Sequence, residues 1–129
     1  MKKGDTTVLH FKIDEALYLG FQSLFKDFNP LHTDLSFAKS KGFREQVMYG
    51  NILGGFLSFF IGESLPSPDV IIHSQEIKYL HPFYLGDELT LTATVEDVHE
   101  SVKVVEFKFV FSNVPGQKIA KGRINIGLI

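Results

Sequence analysis

The sequence predicts an α+β domain in which an antiparallel β-sheet wraps around a central apolar α-helix. The stretch from Asn51 to about Ser64 is apolar on nearly every helical face, which is typical of a helix buried in a core. After Pro68 apolar and polar side chains alternate instead, which is typical of half-buried antiparallel strands. One strand-like segment precedes the helices. Together these patterns indicate one sheet packed on one buried helix.

The N-terminal half is predicted to hold a strand and two helices ahead of the central helix. In chain order we expect a weakly alternating strand over 6–12, a helix from Asp14 to about Leu24, a loop over 26–33, a short helix over 34–41 and an irregular segment over 43–49. Asp14 is placed to cap the first helix, and Gly42 is placed to end the second. Pro66 and Pro68 end the central helix because proline cannot continue it.

The C-terminal half is predicted to form four meandering strands. Their expected ranges are 70–79, 89–96, 105–112 and 118–128. The turn signals after the first of them are Leu85-Gly86-Asp87, His99-Glu100-Ser101 and Pro115-Gly116.

Composition limits the class of protein and its partners. A chain of 129 residues, with 44% hydrophobic and 22% charged residues, suits one globular domain over residues 1–129. The net charge is −2 and no basic stripe is present, so we expect no nucleic-acid partner. The absence of cysteine excludes disulfides, thiolate zinc ligands and cysteine nucleophiles. The five histidines are scattered without the spacing of metal ligands, so no metal site is expected.

The sequence contains no targeting or membrane signal. Met1-Lys2-Lys3 is followed by polar residues rather than by the apolar run of a signal peptide. The longest apolar stretch, residues 52–61, is too short to span a bilayer. We therefore expect a cytoplasmic protein with no membrane partner.

The segment Asp27-Phe28-Asn29-Pro30-Leu31-His32 is the strongest functional signal in the chain. Pro30 fixes its own φ and pushes Asn29 toward an extended conformation, so the linker between the acid and the imidazole is stiff. Such a linker can hold Asp27 and His32 at one site, where the pair could manage one water or one proton. Asp27 could instead simply close the preceding helix, with Asn29-Pro30 forming only a turn. From these residues alone, both interpretations stay open.

With its flanking residues, this segment resembles the MaoC-like hydratase/dehydratase family, whose fold is the hotdog fold. The matching residues are Lys26 to Asp34, Phe37-Ala38, Gly42-Phe43, Tyr49-Gly50-Asn51 and the segment from Tyr79 through Gly86-Asp87 to Leu89. The resemblance covers nearly the whole chain and implies a single hotdog domain over 1–129. The chain departs from the family pattern in three places, at four positions: Phe25-Lys26 replaces a small residue and Gly, Tyr49 replaces His, and Asn51 replaces Met.

The resemblance implies a role for several residues. Asp27 and His32 match the catalytic pair, and Gly50 matches the residue whose backbone N–H receives the thioester carbonyl. Ser58 matches a position that supports the catalytic carboxylate or water in some relatives. Asn29, Tyr49, Asn51 and Gly54 are the expected substrate contacts.

The resemblance also implies the reaction and the partners. The expected enzyme interconverts trans-2-enoyl and (R)-3-hydroxyacyl thioesters. It needs no cofactor, because the substrate is itself carried on coenzyme A or on the phosphopantetheine of an acyl carrier protein. A homodimer is expected, since a chain this short leaves one sheet edge open and pairing between two protomers closes it.

Two alternatives to this function stay open at this point. A hotdog thioesterase generally places its carboxylate on or near the central helix, whereas Glu63 lies at the wrong end of that helix. A non-catalytic acyl-binding or carrier-docking module would explain the three departures, although both Asp27 and His32 are retained.

Several single residues also have structural interpretations. Ser58 could bond its own helix backbone, and Asn51 could be only an N-cap. Tyr49 could line the pocket or pack in the core. Surface cations could be solvated, or they could meet the phosphates of coenzyme A or an acidic carrier protein. The cations concerned are Lys39, Lys41 and Arg44.

Overall fold

A computed structural model describes all residues from Met1 to Ile129. Five antiparallel strands form one sheet in the order β1-β3-β4-β5-β2, and four helices lie between β1 and β2 along the chain. In chain order the elements are β1 (Thr6–Lys12), α1 (Glu15–Phe25), α2 (Pro30–Thr33), α3 (Leu35–Ser40), α4 (Ile52–Glu63), β2 (Val70–Tyr79), β3 (Glu88–His99), β4 (Val104–Ser112) and β5 (Lys118–Leu128). A 3-10 turn over Glu100–Val102 joins β3 to β4. The α+β prediction is confirmed.

The core lies between α4 and the inward face of the sheet. Alternate residues of β3, β4 and β5 point inward, among them Leu91, Phe109 and Ile126, which are almost fully buried. On α4 the buried residues are Ile52, Leu53, Phe56, Leu57, Phe60 and Ile61. This alternation is the pattern from which the strands were predicted, because each strand has only one face against the helix.

The central helix is less enclosed than its composition predicts. The side of α4 that faces away from the sheet is exposed, and Phe59 on that side keeps 48% of its surface accessible. Gly55, Ser58 and Gly62 share this exposure. One sheet can cover only one side of a helix, and α1 shields only part of the other. The prediction that α4 is buried on most faces is therefore wrong for this outer stripe.

Local hydrogen bonds set the helix ends near the loop of interest. The Asp14 side chain accepts from the Leu17 N–H at 2.9 Å and caps α1, as predicted. The predicted loop over 26–33 contains a short helix instead, because Asn29 accepts from the Leu31 N–H and Pro30 occupies the first helical position. Asn51 occupies the N-cap position of α4 but makes no side-chain capping bond.

Strand β2 is an open edge of the sheet. It pairs with β5 on one side only, and nearly all of its residues are exposed. Its exposed apolar side chains include Ile71 (51%) and Tyr79 (48%). None of the helices combines the length and apolarity that a membrane crossing requires.

Candidate active site

The loop after α1 brings Asp27 and His32 together. Helix α1 ends at Phe25, and the C-cap residue Lys26 adopts the left-handed conformation with φ 57° and turns the chain back on itself. Asp27 follows at once, and helix α2 returns His32 toward it. The His32 Nε2 atom lies 4.0 Å from the Asp27 Oδ2 atom. The carboxylate side chain is 47% exposed and the imidazole 16%, so both are accessible from outside.

Each member of the pair is oriented by one further hydrogen bond. His32 Nδ1 lies 2.7 Å from the Val47 carbonyl oxygen, which can only accept, so the neutral imidazole carries its proton on Nδ1. The Nε2 atom that faces Asp27 therefore presents a lone pair. Asp27 Oδ1 accepts from the Asn29 N–H at 3.1 Å, which leaves Oδ2 directed at the imidazole. Asp27 thus both forms the turn and faces His32.

Three side chains hold the backbone of the catalytic pair from behind. The Tyr49 hydroxyl donates to the Asp27 carbonyl oxygen at 2.5 Å, and the Tyr18 hydroxyl donates to the His32 carbonyl oxygen at 2.7 Å. Gln22 Nε2 donates to both hydroxyls, at 3.2 Å to Tyr49 and 3.4 Å to Tyr18. We call Tyr18, Gln22 and Tyr49 the hydroxyl clamp.

Tyr49 is a buried support rather than a substrate contact, which corrects the sequence prediction. Only 2% of its surface is accessible, and its ring packs against His32 and Phe21 with centroids 4.2 and 4.6 Å away. Burial raises the pKa of its hydroxyl, so the group stays a hydrogen-bond donor at neutral pH. Where the family usually has His, Tyr49 therefore holds the loop that carries Asp27 through its hydroxyl.

Two cavities meet at the catalytic pair. The larger, about 710 Å³, runs between α1 and α4 and includes Asp27 in its wall. The smaller, about 350 Å³, includes His32 and Gly50 and is bounded on its far side by the segment from Tyr79 to Phe83. Asp27 therefore faces one cavity and His32 the other. A ligand reaching from one cavity into the other would pass alongside both side chains.

Gly50 lies where α4 begins, beside His32. Its N–H makes no hydrogen bond within the chain, so it is available to a ligand. A Cβ atom at this position would lie 2.9 Å from the Tyr79 ring, closer than side chains normally approach. The Tyr79 hydroxyl in turn donates to Asn51 Oδ1 at 3.4 Å. A larger residue here would therefore require the Tyr79 ring, which is 48% exposed, to shift.

Other predicted site residues lie away from the pair. Ser58 is on the exposed side of α4, two turns beyond Gly50, and makes no hydrogen bond to Asp27 or His32. Asn29 caps α2 and lines neither cavity. Gly54 faces the sheet, with Gln75 the nearest neighbour of a Cβ placed there. None of these three residues lines either cavity, so their predicted roles stay predictions, whereas Asn51 does line the larger cavity.

Sequence reasoning missed residues that the structure brings to the site. Val47, whose carbonyl fixes the His32 tautomer, lies in the segment predicted to be irregular. Tyr18 and Gln22 are four residues apart on α1 and so share a helical face, which was an available signal. Gly55 follows Asn51 by four residues on α4 and shares its face toward the larger cavity.

Two of the three surface cations, Lys41 and Arg44, contact other side chains of the chain. Arg44 bonds to the Asp87 carboxylate at 3.3 Å and lies over the Tyr84 ring at 4.1 Å, and so fastens the Gly86-Asp87 turn. Lys41 lies over the Phe37 ring. No ion pair joins Lys26 to Asp27, and no group of three or more potential ligand side chains is close enough to hold a metal ion.

Comparison with known proteins relates this geometry to a family. The family model described as "MaoC like domain" matches residues 2–112. An (R)-specific enoyl-CoA hydratase of Rhodospirillum rubrum is 29% identical over 126 residues, which are 98% of this chain and 87% of the relative. The enzyme of the same name from Aeromonas caviae is 30% identical over 100 residues, which are 78% of this chain and 75% of the relative. A solved structure titled as the (R)-hydratase from A. caviae involved in PHA biosynthesis superimposes with a TM-score of 0.91 at 26% identity, covering 100% of this chain and 98% of that one.

Proposed function

Since the chain belongs to the MaoC-like domain family and is a hydro-lyase with the hotdog fold, we propose that Asp27 and His32 catalyse its reaction on acyl thioesters. The reaction interconverts trans-2-enoyl and (R)-3-hydroxyacyl thioesters. The observation that carries the proposal is the placement of the pair, 4.0 Å apart between two cavities, with the His32 lone pair facing the carboxylate.

The geometry indicates the order in which the parts of the substrate lie along the site. The reacting atoms of an enoyl thioester follow the sequence sulfur, carbonyl carbon, Cα, Cβ and acyl tail. Placing the carbonyl oxygen on the free Gly50 N–H puts the thioester arm in the smaller cavity and brings Cα and Cβ to the catalytic pair. The tail then continues past Asp27 into the larger cavity.

Asp27 and His32 act together on one water. At 4.0 Å the two side chains are too far apart for a direct hydrogen bond, but Asp27 Oδ2 and His32 Nε2 can each accept a hydrogen from one shared water. In hydration the water oxygen bonds to Cβ, one water proton passes to the pair, and the pair supplies one proton to Cα. Dehydration runs through the same steps in reverse. Acid–base catalysis of this kind contributes about 10²–10⁴-fold to a rate.

Gly50 stabilises the charge that develops during the reaction. As the C=C bond gains a nucleophile, negative charge moves to the thioester oxygen as an enolate. The Gly50 N–H stands at the start of α4, where the helix dipole adds partial positive charge. Removal of one such donor costs about 3–4 kcal/mol in the activation barrier. Both proton transfers use side chains of the chain, so the proposed reaction needs no cofactor beyond the substrate's own coenzyme A or phosphopantetheine.

The assembly we propose is a homodimer. Strand β2 offers an unpaired edge with exposed Ile71 and Tyr79, and exposed strand edges of this kind are normally covered in soluble proteins. Tyr79 also bounds the smaller cavity, so pairing through β2 would complete the surroundings of the thioester arm.

Hydration of crotonyl-coenzyme A tests the proposed function. The loss of the conjugated enoyl thioester is followed spectroscopically for the wild type, Asp27→Asn and His32→Ala. We expect kcat to fall by about 10²–10⁴-fold in each variant, with the melting temperature little changed. Asp97 and His99 form another exposed pair, with His99 Nε2 3.8 Å from Asp97 Oδ2, and Asp97→Asn and His99→Ala are the matched controls. Hydration that survives in Asp27→Asn, or release of free thiol instead of hydration, contradicts the proposal.

A further inference from the structure

The outer face of the sheet, which is turned away from α4, carries three lysines on neighbouring strands. Lys108 lies between the buried residues Phe107 and Phe109 of β4, so the alternation of the strand places its side chain on this outer face. Lys121 of β5 and Lys78 of β2 line the same shallow groove as Lys108, with a volume of about 510 Å³. We call Lys78, Lys108 and Lys121 the lysine cluster. Because its members come from three strands, the sequence shows no basic stripe.

The strand register places like charges opposite one another in this groove. Lys78 is directly opposite Lys121 across β2 and β5. Lys108 is directly opposite Arg123 across β4 and β5. Residues that are directly opposite on one face have Cβ atoms about 4.5–5.5 Å apart, and like charges there destabilise the pairing of the strands. The fold therefore does not account for these two pairs, since it would be more stable without them.

The acidic side chains of this face compensate Arg123 and not the lysines. Glu96 and Glu106 both bond to the Arg123 guanidinium. Glu76, which also lines the groove, is opposite Arg123 across β2 and β5. The lysine cluster is exposed and forms no ion pair. Lysine on an edge strand guards against unwanted pairing, but this accounts only for the lysine of β2, because β4 and β5 are inner strands.

We propose that the lysine cluster docks an acidic α-helix of a partner protein, with carboxylates on one face of that helix. The spacings of the two sets of charges agree. Lys78 and Lys121 have Cβ atoms about 5 Å apart, and Lys108 is diagonal to Lys121 at about 7–8 Å. On a helix, side chains three or four residues apart have Cβ atoms about 5–6 Å apart. Three carboxylates on neighbouring turns can therefore each meet one lysine.

The groove fits an acidic helix better than it fits a phosphate group or a lipid surface. Phosphate is bound best by a free guanidinium fork, and the guanidinium of Arg123 is already bonded to Glu96 and Glu106. The surface of a bilayer is flat, whereas the lysines line a concave groove. Thr92 lines the groove from β3 and offers a hydroxyl to the same acidic side chains.

Docking on the outer face leaves the catalytic site open. Strand alternation turns Lys78 to the outer face and its neighbour Tyr79 to the inner side, where the Tyr79 ring lies against Gly50. No residue of the lysine cluster lines either cavity at the catalytic pair. Pairing of two protomers through β2 would lie in the plane of the sheet and would also leave the outer face accessible. The partner therefore holds the enzyme in place rather than delivering its substrate.

Binding of a model acidic helix tests the inference. The probe is an alanine-based helical peptide with glutamates three and four residues apart on one face. Its control has glutamine in place of every glutamate. Calorimetry measures both affinities at about 0.01 M salt, where the Debye length is about 30 Å, and again at about 0.15 M salt, where it is about 8 Å.

Two triple variants locate the binding site on the protein. The cluster variant carries Lys78→Gln, Lys108→Gln and Lys121→Gln. The control variant removes the same charge from exposed lysines outside the groove, through Lys2→Gln, Lys3→Gln and Lys39→Gln. Because the cluster variant loses the repulsion between opposite lysines, we expect it to melt at or above the wild-type temperature.

We expect the wild type to bind the glutamate peptide and not the glutamine peptide. A single exposed contact between lysine and carboxylate contributes little, but the loss of three should weaken binding about tenfold in the cluster variant and leave the control variant near wild type. The higher salt concentration should weaken wild-type binding as well. Equal affinity for the two peptides, no binding of the glutamate peptide, or an equal loss in both variants would overturn the inference.

Vesicles and the hydration assay separate the remaining outcomes. A wild type that binds vesicles of phosphatidylserine and phosphatidylcholine but not the glutamate peptide would assign this face to a membrane and overturn the inference. Hydration of crotonyl-coenzyme A should be equal in the wild type and the cluster variant, because the lysine cluster lines neither catalytic cavity. Binding of the glutamate peptide by a wild type that hydrates nothing would support the inference and refute only the proposed reaction.

Discussion

Removal of the Tyr49 hydroxyl should lower kcat without changing KM. Tyr49→Phe keeps the ring that packs on His32 and Phe21 and deletes only the oxygen that donates to the Asp27 carbonyl and accepts from Gln22. The hydroxyl does not line either cavity, so substrate binding should not depend on it. The loop that carries Asp27 loses its tie to the core.

The expected losses of stability and of kcat in Tyr49→Phe can be worked from these contacts. Two hydrogen bonds are lost, each with a net value near 1 kcal/mol, but water can replace the partner of Asp27 because that residue is exposed. We expect the free energy of unfolding to fall by about 1–2 kcal/mol, and the melting temperature by about 4–8 °C for a chain of this size. Misplacement of a catalytic group by about 1 Å costs about 10²-fold, so kcat should fall by tenfold to a hundredfold.

Steady-state kinetics with crotonyl-coenzyme A and thermal melting are the assays. Tyr18→Phe should behave in the same way, because its hydroxyl holds the His32 carbonyl. Tyr84→Phe is the matched control, since Tyr84 is also buried and its hydroxyl makes no hydrogen bond within the chain. A Tyr49→Phe enzyme with a lower melting temperature but unchanged kcat would refute a positioning role. A raised KM with unchanged kcat would instead make Tyr49 a substrate contact.

Three further predictions follow from single contacts. Lys26→Gly should raise the melting temperature by about 4 °C, because a left-handed conformation costs a residue with a side chain about 1 kcal/mol. Lys103→Gly, at φ 54°, tests the same effect away from the site. A lower melting temperature in both variants would contradict the reasoning. Gly50→Ala should lower kcat about tenfold, because the new methyl group would contact the Tyr79 ring. Adding Tyr79→Ala to the Gly50→Ala variant should restore most of the lost kcat. If kcat is not restored, the ring is not the cause. Burial raises the pKa of Tyr49 above its ordinary value of 10.0, so the contribution of its hydroxyl to stability is complete below pH about 10 and is lost as the pH rises through the folded-state pKa. Tyr49→Phe should therefore flatten the alkaline fall in melting temperature. An identical fall in the wild type and in Tyr49→Phe would contradict this.

The fold was largely predictable because its signals are local. The alternation in β3 and β4 reports which face meets the core, and Asp14 and Asp34 cap their helices through bonds to backbone three residues away. The exposed stripe of α4 was not predictable from composition. Phe59 is as apolar as Phe60, and only the position of the single sheet decides which of the two is covered.

The candidate site was predictable where it depends on spacing and not where it depends on packing. Asp27 and His32 meet because a stiff turn of fixed length joins them. The role of Tyr49 depends on ring contacts with residues of α1 and α2 that lie far from it in the sequence. The choice between Gly54 and Gly55 depends on the rotation of α4 about its axis, since a shift of one residue turns a side chain by about 100°.

The hydroxyl clamp has a consequence for how this chain can diversify. The hydroxyls of Tyr18 and Tyr49 bind carbonyl oxygens of the main chain, which every amino acid supplies, so these two hydrogen bonds do not depend on the side chains at positions 27 and 32. Mutation can therefore exchange the reactive groups while the loop that presents them keeps its shape. A variant that loses the Asp27 carboxylate keeps the bond from Tyr49 to its main chain, so the loop should stay folded without its reactive group.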